Sequence, residues 1–239
     1  RQRRRVLVGA WEMGGGITLE LLAILSLGYS RTAVMVGNVT EDEHSALAER
    51  MQQIARWVSF LENPFRRRSG EKRSNDGNLD RVHAYLADSG CDVFVGDLWR
   101  RCLAGDDVGE EEFALYRQQA MCEELGVHAI LVQQQRMKDI EQRPDKRPTR
   151  EGIKGSSAWV EVADTILGVH RPALWKAIDD TTLELHVIKQ RYGRWPLAVE
   201  FDWDGDLSSI AGGRTIPYEH AQPSEADEVF APPKRRKRG

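Results

Sequence analysis

Two hydrophobic rhythms alternate along the chain: short apolar runs, and longer stretches in which apolar residues recur every third or fourth position. The run RVLVGA (5–10) reads as a buried strand, and ITLELLAILSLG (17–28) as a helix stopped by Gly28. TAVMVG (32–37) reads as a second strand. TEDEHSALAERMQQIARWVSFL (40–61) then reads as one long helix, with Thr40 as N-cap and Glu43 as its capping-box partner. The Arg-, Ser- and Asn-rich stretch 63–78 predicts a flexible insert. A helix over Leu79 to Asp88, a strand at CDVFVGD (91–97), a helix around EEEFALYRQQAMCEEL (110–125) and a strand at VHAILVQQ (127–134) follow. After a polar segment, ADTILGVH (163–170), LELHVIKQR (183–191) and PLAVEFDW (196–203) read as further strands.

Strands alternating with helices predict an α/β domain with a mostly parallel central sheet and helices on both faces, because parallel strands need crossover connections. Functional groups are then expected at the carboxyl ends of the strands. The domain is expected to span 1–212, and 213–239, with four prolines and little periodicity, to be a disordered basic tail.

Composition narrows the function. The chain has 239 residues, 41% of them hydrophobic, enough for a real core. Its formal charge is -3, yet the cations cluster in RQRRR at the start, RRRSGEKR at 66–73 and KRRKRG at the end, which points to a solvated surface or to nucleic acid. Three cysteines without CxxC spacing indicate neither a disulfide framework nor a zinc cluster. No apolar run approaches the roughly 18 residues of a spanning helix, so the expectation is a soluble, cytoplasmic, nucleoid-associated protein with no membrane partner. The chain begins without methionine and reads as a processed or truncated piece.

The stretch VLVGAWEMGGGITLELLAIL (6–25) is written like a phosphate-binding loop, in which backbone N–H groups at a helix N-terminus cradle phosphates, a lysine spans the outer ones and a hydroxyl binds Mg²⁺. Gly9 and Gly14 stand at the right separation, but Gly15 and Gly16 then occupy the lysine and hydroxyl positions. Sliding by two places Thr18 on the metal and Ile17 where lysine belongs, and no lysine occurs before Lys72. Asp97 ends an apolar strand, where a metal-binding carboxylate would stand. A plain glycine turn, or a dinucleotide-binding domain, are the competing readings; the cluster is not GxGxxG, and the expected second strand ends at Asn38 instead of an acid suited to a ribose.

The stretch from Val127 onward carries a more specific pattern. EQRPDKRP (141–148), Ala163-Asp164 and KQRYG (189–193) resemble, in order and spacing, the RecA-like motor domain of DnaB-type replicative helicases, which form hexameric rings. The resemblance runs from Val6 to about Gly212 and implies a RecA-like P-loop NTPase fold, ATP and Mg²⁺ as ligands, a homo- or hetero-hexamer, and single-stranded DNA as partner in replication. It implies that Gln134 senses the terminal phosphate, that Asp97 holds the metal, and that Lys189 and Arg191 reach the neighbouring subunit's nucleotide. It further implies that the segment 136–154, with Arg136, Lys138, Arg143, Lys146, Arg147, Arg150 and Lys154 against four acids, faces DNA. Two departures stand against this. The loop lacks its lysine, and the expected second strand offers Asn38 where the family has a catalytic glutamate. Three readings follow: a nucleotide-binding domain with weakened or lost hydrolysis, a fully active helicase subunit, and a catalytically dead ring partner.

Overall fold

The computed structural model describes residues 4–61, 75–103, 107–176, 178–193, 195–207 and 209–216. Strand β1 (Val6–Ala10) lies at the centre of a parallel four-stranded sheet, between β2 (Val58–Leu61) and β3 (Val93–Asp97), with β4 (His128–Leu131) outside β3. Leu7, Val8 and Ala10 are all buried, the pattern of a strand covered on both faces, which is why its sequence is continuously apolar.

Helix α1 (Gly15–Leu27) ends at Gly28, whose positive φ of 69° lets its N–H reach back to the carbonyls of Ile24 and Leu25. Helix α3 (Glu41–Ile54) starts with the expected capping box of Thr40 and Glu43. A small cluster of Ala23, Ile24 and Leu47 joins α1 and α3. The main core lies among α4 (Asn75–Ser89), α5 (Val108–Leu125) and the strands, with Phe94, Trp99, Leu79, Val82 and Leu115 almost fully covered. The Trp99 and Trp159 rings meet edge to face at 5.3 Å.

Two sequence expectations are overturned here. Residues 32–37 are not a strand: Arg31–Met35 forms the short helix α2, capped by the Ser30 hydroxyl, which accepts from the Ala33 N–H. The second strand is instead Val58–Leu61, which pairs in parallel with Val6–Gly9, so the helix expected over 40–61 stops at Ile54. Both segments are short apolar or β-branched runs, and only pairing with β1 separates them. The insert expected over 63–78 lies mostly outside the described residues, and its last part, from Asn75, already belongs to α4.

The remaining strands form a second sheet. β5 (Thr165–His170), β6 (Thr182–Gln190), β7 (Leu197–Asp204) and β8 (Ser209–Ile216) are antiparallel neighbours in that order. The parallel arrangement expected for the sheet therefore holds for β1–β4 and not beyond, and β8 runs past Gly212 to Ile216. Short helices α6 (Met137–Gln142) and α7 (Ala158–Val162) lie on the connection between the two sheets. That connection is pinned to β5 at Gly168, where any Cβ would lie 2.5 Å from the Pro148 ring.

Candidate nucleotide site and basic loop

The glycine turn follows directly from β1. The Trp11 N–H donates to the Asp97 carbonyl at 2.9 Å, tying the turn to the end of β3, and the Gly14 N–H donates to the Ala10 carbonyl at 3.1 Å. Gly14 adopts φ 83° as the helix N-cap, a backbone state that favours glycine, and it has no side chain to cap α1. The first helical hydrogen bond is Thr18 N–H to the Gly14 carbonyl, and the Thr18 hydroxyl donates to the same oxygen at 2.9 Å. The N–H groups of Gly15, Gly16 and Ile17 thus form the uncapped start of α1. A Cβ built on Gly14 or Gly16 would meet nothing within 4 Å, so there is open room beside these donors. Gly9 differs: its missing Cβ leaves the space that the Trp11 indole occupies.

Asp97 closes β3, opposite Ala10 of β1. Burial pushes its carboxyl above the ordinary aspartate range, and the negative charge of Glu12 on the glycine turn adds to the shift. Glu12 in turn lies 3.7 Å from Arg101, on the 3₁₀ turn Trp99–Cys102 that follows β3. The Asp97–Leu98 peptide is cis. Reassigning the second strand also changes the inventory of acids. Asn38 follows α2 and is not at a strand end, whereas the residue that succeeds Leu61 in the sequence is Glu62. Glu62 itself lies outside the described residues, but in chain order the second strand is followed by an acid, contrary to the expectation built on Asn38. The signal was present in VSFLE, an apolar run closed by a carboxylate.

Beyond β4, the Gln133 side chain accepts from the Gln134 N–H at 3.0 Å and donates to the Lys154 carbonyl at 2.8 Å, while the Gln134 carbonyl accepts from the Lys154 N–H at 3.0 Å. Gln134 is exposed. Sequence reading missed the residue that organises this corner. Glu111 of α5 is fully buried and accepts from Arg100 at 3.0 Å, the Ser156 N–H at 2.9 Å, the Trp159 indole at 3.1 Å and Gln133 at 3.3 Å. One carboxylate thereby joins the turn after β3, the end of β4 and the start of α7.

Lys189 and Arg191 sit together at the end of β6, docked on α7. Lys189 donates to the Val160 and Glu161 carbonyls, and Arg191 pairs with Asp164 at 2.7 Å. Burial, then the Arg191 and Arg150 charges, lower the Lys189 ammonium below the usual lysine range.

The expected DNA-facing residues divide by environment. Arg147 forms a two-pronged pair with buried Glu184 at 2.8 and 3.0 Å, and Glu184 also bonds His186 at 2.8 Å. Arg143 pairs with Asp145, Lys146 donates to the Glu141 carbonyl, and the Arg150 guanidinium lies 5.0 Å from the centre of the Trp195 ring. These contacts hold the loop on itself and on the second sheet. Arg136, Lys138 and Lys154 are exposed, with Arg136 donating to the Gly155 carbonyl.

Residues 114–211 match the family described as the DnaB-like helicase C terminal domain. The match begins within α5, so the glycine turn and Asp97 lie outside it. Among solved structures, one described as an ATPase domain superposes with a TM-score of 0.70 at 17% identity, covering 87% of this chain and 74% of that one. A DnaB-like replicative helicase, described with its interactions with primase, gives a TM-score of 0.70 at 16% identity, covering 87% of this chain and 50% of that one. The chain thus spans about half the length of that helicase. No curated protein sequence matches it. The class is an α/β RecA-like fold, and within it residues 114–211 resemble the C-terminal domain of DnaB-like helicases. Among the described residues no helix is long and apolar enough to cross a membrane.

Proposed function

We propose that this domain binds a nucleoside triphosphate with Mg²⁺ at the carboxyl ends of β1 and β3 and acts on single-stranded DNA through the connection between β4 and β5, as one subunit of a replicative ring. The observation that carries the reading is the tie between the glycine turn and the end of β3, which puts open α1 amides and Asp97 at one edge of the sheet. Open room beside three uncapped donors suits a phosphate group, and a part-buried carboxylate whose proton affinity is raised by a neighbouring acid suits a cation. Gly15, Gly16 and Ile17 would hold the phosphates through their N–H groups, and Asp97 would hold the metal's water shell. Mg²⁺ supplies charge neutralisation on the phosphate oxygens when bound.

Hydrolysis is expected to be slow, not absent. The lysine position is Gly15, yet Glu62 follows the second strand, where the family resemblance places the residue that takes the water's proton. Gln134 would read the terminal phosphate. Lys189 and Arg191 would act on the neighbour's nucleotide, a role that does not require an intact loop in the same chain.

The test is fluorescent-nucleotide binding and ATP turnover, with and without single-stranded DNA, on the wild type, Asp97→Ala and the double variant Gly15→Lys with Gly16→Thr. The wild type should bind Mg-ATP and turn it over slowly, Asp97→Ala should abolish turnover, and the double variant should speed it by ~10-fold or more, the scale of a restored charge contact to the transition state. Absence of ATP binding in both the wild type and the double variant would refute the nucleotide reading. Fast wild-type turnover would favour the fully active helicase subunit, and binding without any turnover in either protein would favour the catalytically dead partner.

A further inference from the structure

We propose that Arg101 is the phosphate-binding cation of this site, supplied from the turn after β3 in place of the lysine that the glycine turn lacks, with Glu12 as its resting partner. The inference rests on the nucleotide reading above. No lysine or arginine occurs between Val6 and Ser30, so neither β1, the glycine turn nor α1 can contribute a positive side chain. The glycine turn and the end of β3 bring carboxylates to this edge instead, Glu12 and Asp97, with the two segments tied by the Trp11 N–H to Asp97 carbonyl hydrogen bond at 2.9 Å. With carboxylates and no cation of their own, these elements leave part of a triphosphate's charge unmatched by the protein.

Two arginines stand on the turn after β3, and their ties differ in kind. Arg100 is 17% exposed and held at 3.0 Å by the fully buried Glu111, an arrangement that cannot be broken without stranding a charge in the core. Arg101 is 60% exposed and meets Glu12, 43% exposed, at 3.7 Å. An exposed pair of that kind contributes little, so Arg101 can leave Glu12 for a phosphate at little cost. The phosphate is the stronger partner, because the planar guanidinium can donate to two of its oxygens at once. The base of Arg101 is meanwhile fixed. Cys102 next to it and Trp99 two residues before it are fully buried, so the side chain swings from a rigid mount beside the glycine turn. Glu12 serves as the switch partner, holding the guanidinium at the turn.

This assignment makes the two partners of one ion pair respond in opposite directions. Affinities of the whole chain for Mg-ATP, Mg-ADP and AMP are to be measured by titration calorimetry, with thermal melts as the control for folding. Arg101→Ala should weaken ATP by ~10-fold or more, equivalent to about 1.4 kcal/mol, and leave AMP and the melting temperature nearly unchanged. Arg101→Lys should recover part of the loss, since it keeps the charge without the fork. Glu12→Gln should tighten ATP, because it frees the guanidinium and removes a negative charge. If the pair merely braces the turn, Glu12→Gln and Arg101→Ala will weaken ATP alike, and the proposal falls. It also falls if the wild type binds ATP and Arg101→Ala binds it equally well, a result that leaves the nucleotide reading standing. Failure of the wild type to bind ATP overturns both.

Discussion

Removing the Glu111 carboxylate should be among the more damaging single truncations in the described core. It is fully buried and receives four donors: the Arg100 guanidinium, the Ser156 backbone N–H, the Trp159 indole N–H and the Gln133 amide. Glu111→Ala would remove the buried carboxylate from Arg100, whose side chain is only 17% exposed, and leave a buried backbone N–H and an indole without this acceptor. Breaking a buried pair by deleting one partner costs about 3–5 kcal/mol, and each buried donor left unmade about 1–3 kcal/mol; the groups share one cavity and the terms do not add, so about 3–5 kcal/mol is expected overall. For a domain of this size that lowers the melting temperature by roughly 6–20 °C. Urea unfolding followed by far-ultraviolet circular dichroism measures it directly. Glu111→Gln, which keeps one acceptor oxygen, should cost less. The double variant Glu111→Leu with Arg100→Met should recover much of the loss, because no charge remains to be stranded. A Glu111→Ala protein within about 1 kcal/mol of wild type would refute the reasoning, since a loss that small belongs to a surface interaction.

Glu184 links stability to acid. Burial pushes its carboxyl up, but hydrogen bonds from His186 and Arg147 and the Arg147 charge outweigh this and hold it at about 2, against 4.5 for an unperturbed glutamate. A depressed carboxyl stabilises above the unfolded value and loses that contribution as pH falls through the folded one, so on the order of 3 kcal/mol should disappear between pH 4.5 and about 2. Glu184→Gln should remove that dependence, and an acid-unfolding curve identical to wild type would contradict it. His170, whose pKa burial lowers, works in a neighbouring window: the unfolded chain takes up its proton first, so stability should decline as pH drops below 6.5. In the basic loop, Arg136→Ala, Lys138→Ala and Lys154→Ala combined should reduce the salt slope of single-stranded DNA binding by about 2, at roughly 0.7 for each phosphate no longer neutralised. Arg147→Ala should instead lower the melting temperature, and an unchanged salt slope in the triple variant would show the loop to be a connector.

Local chemistry made part of this fold legible in the sequence. VLVG reads as a strand because a strand buried on both faces has no reason to alternate, DVFVG and HAIL read as strands as short apolar runs, and Thr40, Glu43 and Gly28 mark helix ends because they satisfy backbone groups a few residues away. The pattern EQRPDKRP with KQRYG carried the family resemblance, and the match over 114–211 contains it. Local pattern could not separate TAVM from VSFL. Both are short, largely apolar or β-branched runs, and the second is a strand because β1 accepts it as a neighbour, while the first is closed into a helical turn by Ser30. Nor could it divide the basic loop into cations that brace the structure and cations exposed to a partner, since Arg147 finds Glu184 only when the second sheet has formed, 37 residues further along. The meeting of Arg101 with Glu12 and of Glu111 with four donors was equally invisible, because the interaction of charges depends on distance and burial in space, and the chain's order specifies neither until the sheets have brought distant segments together.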